Sequence, residues 1–256
     1  QVWIRAQAAM PIRRDAERDP LRATYVMDQR AAADAFVFLE PGESAVVTVQ
    51  ANCIWNRSGV VMERDASYAI EYVDGLWTDK EGVSVDIDGD KLGFDLVRRI
   101  WAYARRDCGA RYVELIGHVA HPRLWPTFEF GSIKLLRYFM YRDPAPLHLS
   151  LIRLGRVVKA HGHAVVHVKG ASGIFYAFAN DLWATYANNS GAVRIRIRRL
   201  TEAEQKAVET DKTAWDRQFF ISRRGEVFDG QRYREDLSLP EDKRCFDRER
   251  WGREET

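Results

Sequence analysis

Apolar and polar residues alternate through Ala192-Val-Arg-Ile-Arg-Ile-Arg198, with Val193, Ile195 and Ile197 separated by arginines. Period two is the signature of a half-buried β-strand. Ile174-Phe-Tyr-Ala-Phe178, Phe36–Leu39, Ala45–Gln50, Val60–Met62, Tyr68–Val73 and Tyr112–Ile116 read as further strands. Pro41-Gly42-Glu-Ser is a turn between two of them. Arg156 to Val168 reads as two short strands about Gly162. Helical spacing is rarer. Phe94–Arg105 is one helix. Residues 201–219 are another, opened by the capping box Thr201-Glu-Ala-Glu204, with Leu200 as a staple residue and Ala207, Val208, Ala214, Trp215 and Phe219 as a partial apolar stripe. The pattern predicts a mainly β protein.

These elements divide the chain. Residues 1–34 are polar and Arg-rich and read as an N-terminal arm with a short helix around Leu21–Ala33. Residues 35–200 carry the strands, interrupted by insertions at about 80–107 and 118–150. Residues 201–256 hold the C-terminal helix and a tail of mixed charge, expected to be a solvated arm laid over the body or partly disordered. The second insertion is rich in Trp, Phe, Leu and Tyr from Leu124 to Tyr141. It either covers a sheet face within the chain or docks another domain or subunit.

Composition narrows the function. The chain has 256 residues and net charge +2, with 39 basic against 37 acidic side chains, so nothing pulls it toward nucleic acid. No apolar run is long enough to span a membrane, and no leader peptide is visible. The compartment stays open. Opening on Gln1 suggests a processed protein or a piece of a larger one. Cys53, Cys108 and Cys245 form neither a disulfide framework nor a zinc pattern. Eight Trp exceed what a core needs and suit sugar stacking or a partner surface, but a sandwich with aromatic core layers is the reading that fits most of them.

No nucleophile elbow, phosphate-binding loop or dinucleotide fingerprint occurs, and catalysis by this chain is not expected. Asp86-Ile-Asp88-Gly89-Asp90 fails the EF-hand pattern, with Lys91 and Val97 where Gly and Glu belong, and reads as a turn. His161, His163 and His167 could share a strand face and bind zinc, or form a solvated edge with one satisfied core histidine. The densest oxygen chemistry lies in Phe178-Ala-Asn-Asp181-Leu-Trp-Ala-Thr185-Tyr-Ala-Asn188-Asn189-Ser-Gly191. One carboxylate, one Thr and two adjacent amides fall within nine residues, between two strands. Calcium takes six to eight such oxygens. A turn that satisfies its own backbone uses the same residue types.

This loop resembles the calcium-and-sugar loop of the galactophilic PA-I type lectins of bacteria. Further landmarks are similar: Trp55-Asn-Arg-Ser-Gly59, Gly75-Leu-Trp77-Thr-Asp79, Cys108-Gly-Ala110, Leu115-Ile-Gly117 and Leu154-Gly155. The resemblance covers about residues 35–200 with insertions. It implies an antiparallel β-sandwich, galactose-binding-like, with helical insertions and a C-terminal helix. It implies a calcium ion held by Asp181, Asn188 and Asn189 side chains, the Thr185 carbonyl, and a carbonyl near Asp79 or Lys80. Sugar hydroxyls complete the coordination, with Asp181, Leu182, Thr185, Asn188 and Cys108 at positions that touch the sugar. Leu96 and Arg99 stand where these lectins have a His and a Gln that also contact it. The expected function is a calcium-dependent carbohydrate-binding module, galactosides being the implied ligands. The alternative is a non-lectin accessory or targeting domain of a larger secreted bacterial enzyme or toxin, with calcium structural or absent.

Overall fold

In a computed structural model of the chain, described at residues 36–53, 55–78, 84–89, 107, 109–120, 151–170, 172–181, 186–222, 226–240 and 244, two sheets pack face to face. The strand Ser190–Arg199 (β10) shows why. Val193, Ile195 and Ile197 are fully buried between the sheets, while Arg194, Arg196 and Arg198 lie on the outer face beside carboxylates. β10 runs antiparallel between Ser44–Gln50 (β2) and Ser67–Thr78 (β4). The larger sheet continues from β4 through His163–Val168 (β8) and Gln218–Ile221 (β11) to Val227–Asp229 (β12), with Ser84–Val85 (β5) also paired to β4. The smaller sheet is Val37–Phe38 (β1), Asn56–Met62 (β3), Gly173–Ala179 (β9), Leu115–Ala120 (β6) and Leu151–Arg153 (β7), in that order. Valine, isoleucine and aromatic side chains from both inner faces form one core, including Trp77, Tyr68, Phe175 and Ile70.

The sandwich is not wholly antiparallel. β1 runs parallel to β3, and β11 parallel to β8. Parallel neighbours need a long connection, and the chain between β8 and β11 supplies one by passing through β9, β10 and a helix. β4 and β10 slip register between Arg194, opposite Asp74, and Ile195, opposite Tyr72, which leaves Val73 without a partner. Gly75, opposite Val193, has φ +100°, and a Cβ there would lie 2.2 Å from the Ala192 carbonyl oxygen, so that position requires glycine.

Other expectations are corrected. Arg156 to His161 is not a strand: Leu154–His161 is a helix (α1) that ends at Gly162 in the left-handed conformation. Leu154 and Val158, four residues apart, both face the core, which a helix allows. The predicted helix 201–219 is a helix only over Glu202–Thr210 (α2). Asp211 then caps a 3-10 helix, Lys212–Arg217, and Phe219 belongs to β11. The capping box is present, with Thr201 and Glu204 bonded reciprocally. Leu200 packs on Ala69, Val165 and Val208. The charged tail is not simply a solvated arm. Val227 and Phe228 of β12 are buried, and Gly230–Ser238 (α3), capped by Asp229, lays Tyr233 on Phe220 with ring centroids 3.8 Å apart. Asp86 to Gly89 is a turn, with Asp88 paired to Arg111. The strand expected at Tyr112–Ile116 begins at Leu115 and runs to Ala120, into the span read as the second insertion. The arm 1–34, the helix Phe94–Arg105 and residues 121–150 lie outside the described residues.

Candidate functional site

The loop after β9 leaves the smaller sheet and enters the larger one at β10. Its departure point is clamped by Asn180, which is fully buried. The Asn180 amide nitrogen donates to the carbonyls of Asp107 and Arg111, both at 2.9 Å, and its side-chain oxygen accepts from the Asp107 N–H at 3.0 Å. Its backbone N–H donates to Glu114 and its carbonyl accepts from Val113. Both amide protons and the amide oxygen are therefore engaged, as a buried amide demands. The loop is also closed on itself. The buried Tyr186 hydroxyl donates to the carbonyl of Ala179, the last residue of β9.

At the far side a short 3-10 turn, Tyr186–Asn188, delivers Asn189 into the interior and leaves Asn188 exposed. Asn189 is 4% exposed and Asp181 likewise 4%. The Asn189 amide nitrogen donates to Asp181 Oδ2 at 2.8 Å and lies 3.5 Å from the Ala51 carbonyl. Ala51 belongs to the turn after β2, which Asn56 holds through its bonds to both backbone groups of Gln50. Both neighbours of the Asn189 nitrogen are acceptors, so the amide cannot turn over without setting oxygen against oxygen. Its Oδ1 therefore points the other way, buried and without a hydrogen-bond partner. An unmatched buried acceptor costs roughly 1–3 kcal/mol. A cation or a strong donor at that oxygen would remove the cost.

The structure thus brings together Asp181 and Asn189, with Asn188 next in the chain and at the surface. Ser190, next after Asn189, pairs with Thr78, the last residue of β4. Gly191, at φ +84°, passes so close to β4 that a Cβ would lie 2.4 Å from the Leu76 carbonyl oxygen. Asp79, Lys80, Cys108, Leu182, Trp183 and Thr185 lie outside the described residues.

The histidines do not gather. His161 ends α1 with Nε2 3.2 Å from the Asp216 carboxylate, while His167 is buried between Ser67 and Gln218. Among the described residues no three His, Cys, Asp or Glu side chains cluster as metal ligands. An oxygen site built on one carboxylate, amides and backbone carbonyls is a different donor set, suited to a hard cation. The Cys53 thiol is pushed up to about 11 by burial and behaves as a small apolar residue.

Sequence reasoning found Asp181 and Asn189 but not the residues that hold them. Asn180 was readable as the first half of Asn-Asp, yet nothing in the pattern announces a clamp. The Ala51 carbonyl and the Asp107 backbone carry no side-chain signal at all. No protein-family model matches the chain, and no curated protein matches it.

Proposed function

We propose that the chain is a calcium-dependent carbohydrate-binding module, its sandwich of the galactose-binding-like, PA-I lectin-like kind. The observation that carries this reading is the orphaned, buried Asn189 Oδ1, whose direction is fixed by the hydrogen bond from the same amide's nitrogen to the Asp181 carboxylate. Asp181, Asn188 and Asn189 would hold the ion through side-chain oxygens, with the Thr185 carbonyl and one near Asp79 or Lys80. Bound calcium supplies a hard centre whose open positions take vicinal hydroxyls of a sugar. The Asp181 carboxylate, which can only accept, orients those hydroxyls by taking their protons in hydrogen bonds. Leu182 and Cys108 would contact the sugar beside it. A single carboxylate gives the site little charge, which places its affinity for calcium toward the weak end of the protein range.

A second reading has its own support. Asn180 and Tyr186 already fix both ends of the loop through hydrogen bonds. A loop so held needs no ion for its shape, and the chain would then be an accessory or targeting domain of a larger secreted protein.

Calorimetric titration of calcium into EDTA-stripped protein, followed by a glycan array, separates the two, since the accessory reading allows a structural calcium but no sugar. The expected result is saturable binding by the wild type, loss of binding in Asp181→Ala and Asn189→Ala, and a calcium-dependent rise in unfolding temperature in the wild type alone. A glycan array with and without calcium, galactosides included, then identifies the sugar. A wild type that binds no calcium at millimolar concentration rejects the lectin reading and leaves the accessory one.

A further inference from the structure

Residues 107 and 109–114 have almost no regular structure, yet they are held from three sides. Asp107, 2% exposed, accepts from the Gly109 N–H at 2.8 Å and from Arg153 Nε and Nη2 at 2.7 and 3.0 Å. Glu114, fully buried, accepts from the Arg111 N–H at 2.7 Å and from Arg156 Nε at 3.1 Å. Asn180 holds the backbone at Asp107, Arg111, Val113 and Glu114. Val113 sits at φ +56°, where a β-branched side chain is strained. Such strain persists only where the surroundings over-determine it. The two arginines come from one place, the junction of β7 and α1. That junction is packed tightly: a Cβ on Gly155 would lie 1.9 Å from the Ile87 carbonyl oxygen, and one on Gly109 would lie 2.2 Å from Arg153 Nη2.

A continuous path therefore runs from Arg153 to the Asp107 carboxylate, from the Asp107 backbone to the Asn180 side chain, and from Asn180 to its neighbour Asp181. We infer that Arg153 is a positioning residue for the candidate calcium loop, setting the place of Asp181 through Asp107 and Asn180. As it concerns calcium, the inference rests on the function proposed above. As it concerns the backbone, it does not. Groups that orient a metal ligand from outside its first layer commonly change metal affinity 10–100-fold when removed.

The test uses the full chain and reads two quantities. Arg153→Met alone would leave Asp107 buried without its counter-charge and invite unfolding. The informative variant is therefore Arg153→Met in an Asp107→Asn background, with Arg153→Lys as the conservative partner. Amide hydrogen exchange in EDTA reports on the Val113 and Asn180 N–H groups, with Leu200, whose N–H bonds to Ser67 at the other end of the sheet, as control. The expected result is at least tenfold faster exchange at Val113 and Asn180, no change at Leu200, and calcium binding weakened about tenfold or more, with Arg153→Lys intermediate in both. Unchanged exchange at Val113 and Asn180 overturns the inference. Faster exchange with unaltered calcium affinity overturns the transmission to Asp181. Absence of calcium binding in the wild type rejects the lectin reading instead, and exchange still decides whether Arg153 positions the loop's departure point.

Discussion

The ring of His167 is neutral, and its neighbours say which nitrogen bears the proton. Gln218 spends its amide nitrogen on the Val208 carbonyl at 3.0 Å, which turns its oxygen toward His167 Nε2 at 2.9 Å. Nε2 therefore donates, and Nδ1 accepts from the Ser67 hydroxyl at 2.8 Å. Burial, assisted by the Lys169 charge, pushes the His167 pKa down to about 4, against weaker opposing pulls from Glu209 and Gln218. A folded value below the unfolded 6.5 means the native state resists protonation. The stability so gained is fully present above pH 6.5 and is lost as pH falls toward 4, worth up to about 3 kcal/mol. Unfolding temperature measured from pH 7 to pH 4 should fall steeply in the wild type and less in His167→Gln. Part of this was legible: one satisfied core histidine was among the readings of the His161, His163, His167 series. Its partners were not, because Ser67 and Gln218 stand 100 and 51 residues away in the chain. Asp181 and Asn189 were legible for the opposite reason, since both oxygen donors fall in one short loop.

At the scale of elements, long alternating runs declared themselves and short mixed ones did not. β10 keeps strict alternation over most of its length and was readable. The run that became α1 satisfies both periods, because Val157 and Val158 supply an apolar side chain to either, and only its packing onto the core decides. Gly162 ends that helix at φ +78° with no atom within 4 Å of a built Cβ, whereas Gly191 has φ +84° and the Leu76 carbonyl at 2.4 Å. The two glycines share a conformational need and differ in space. Gly162→Ala should cost about 1 kcal/mol, the backbone strain alone. Gly191→Ala should cost distinctly more, because β4 and β10 must separate, and should abolish any calcium-dependent stabilisation. Denaturant unfolding of both variants, with and without calcium, makes the comparison.

For the molecule as a whole, charge on the larger sheet is matched locally. Arg194, Arg196, Arg198 and Arg199 each meet a carboxylate, from Asp74, Glu71, Glu204 and Glu63. The arginine-rich face is thus consistent with the small net charge of the chain. The C-terminal region is where the composition misled most. The helical reading of 201–219 hid β11 and the charge of the tail hid β12, short strands whose buried Phe219, Ile221 and Val227 complete the core. Ending the chain at Leu200 would bare the edge of β8, remove those side chains and uncover His167. Such a protein is expected to aggregate or to lose most of its stability, which expression of residues 1–200 beside the full chain would show by solubility and thermal unfolding.

The parallel pairing of β11 with β8 also has a consequence in time. β8 ends at Val168, and its neighbour begins at Gln218, roughly fifty residues later. At ribosomal rates of about 5–20 residues per second, the nascent chain carries that strand unpartnered on one side for several seconds. The sandwich is therefore sealed from its carboxyl end, and a stalled or prematurely released chain is most exposed at the seam where β11 has yet to arrive.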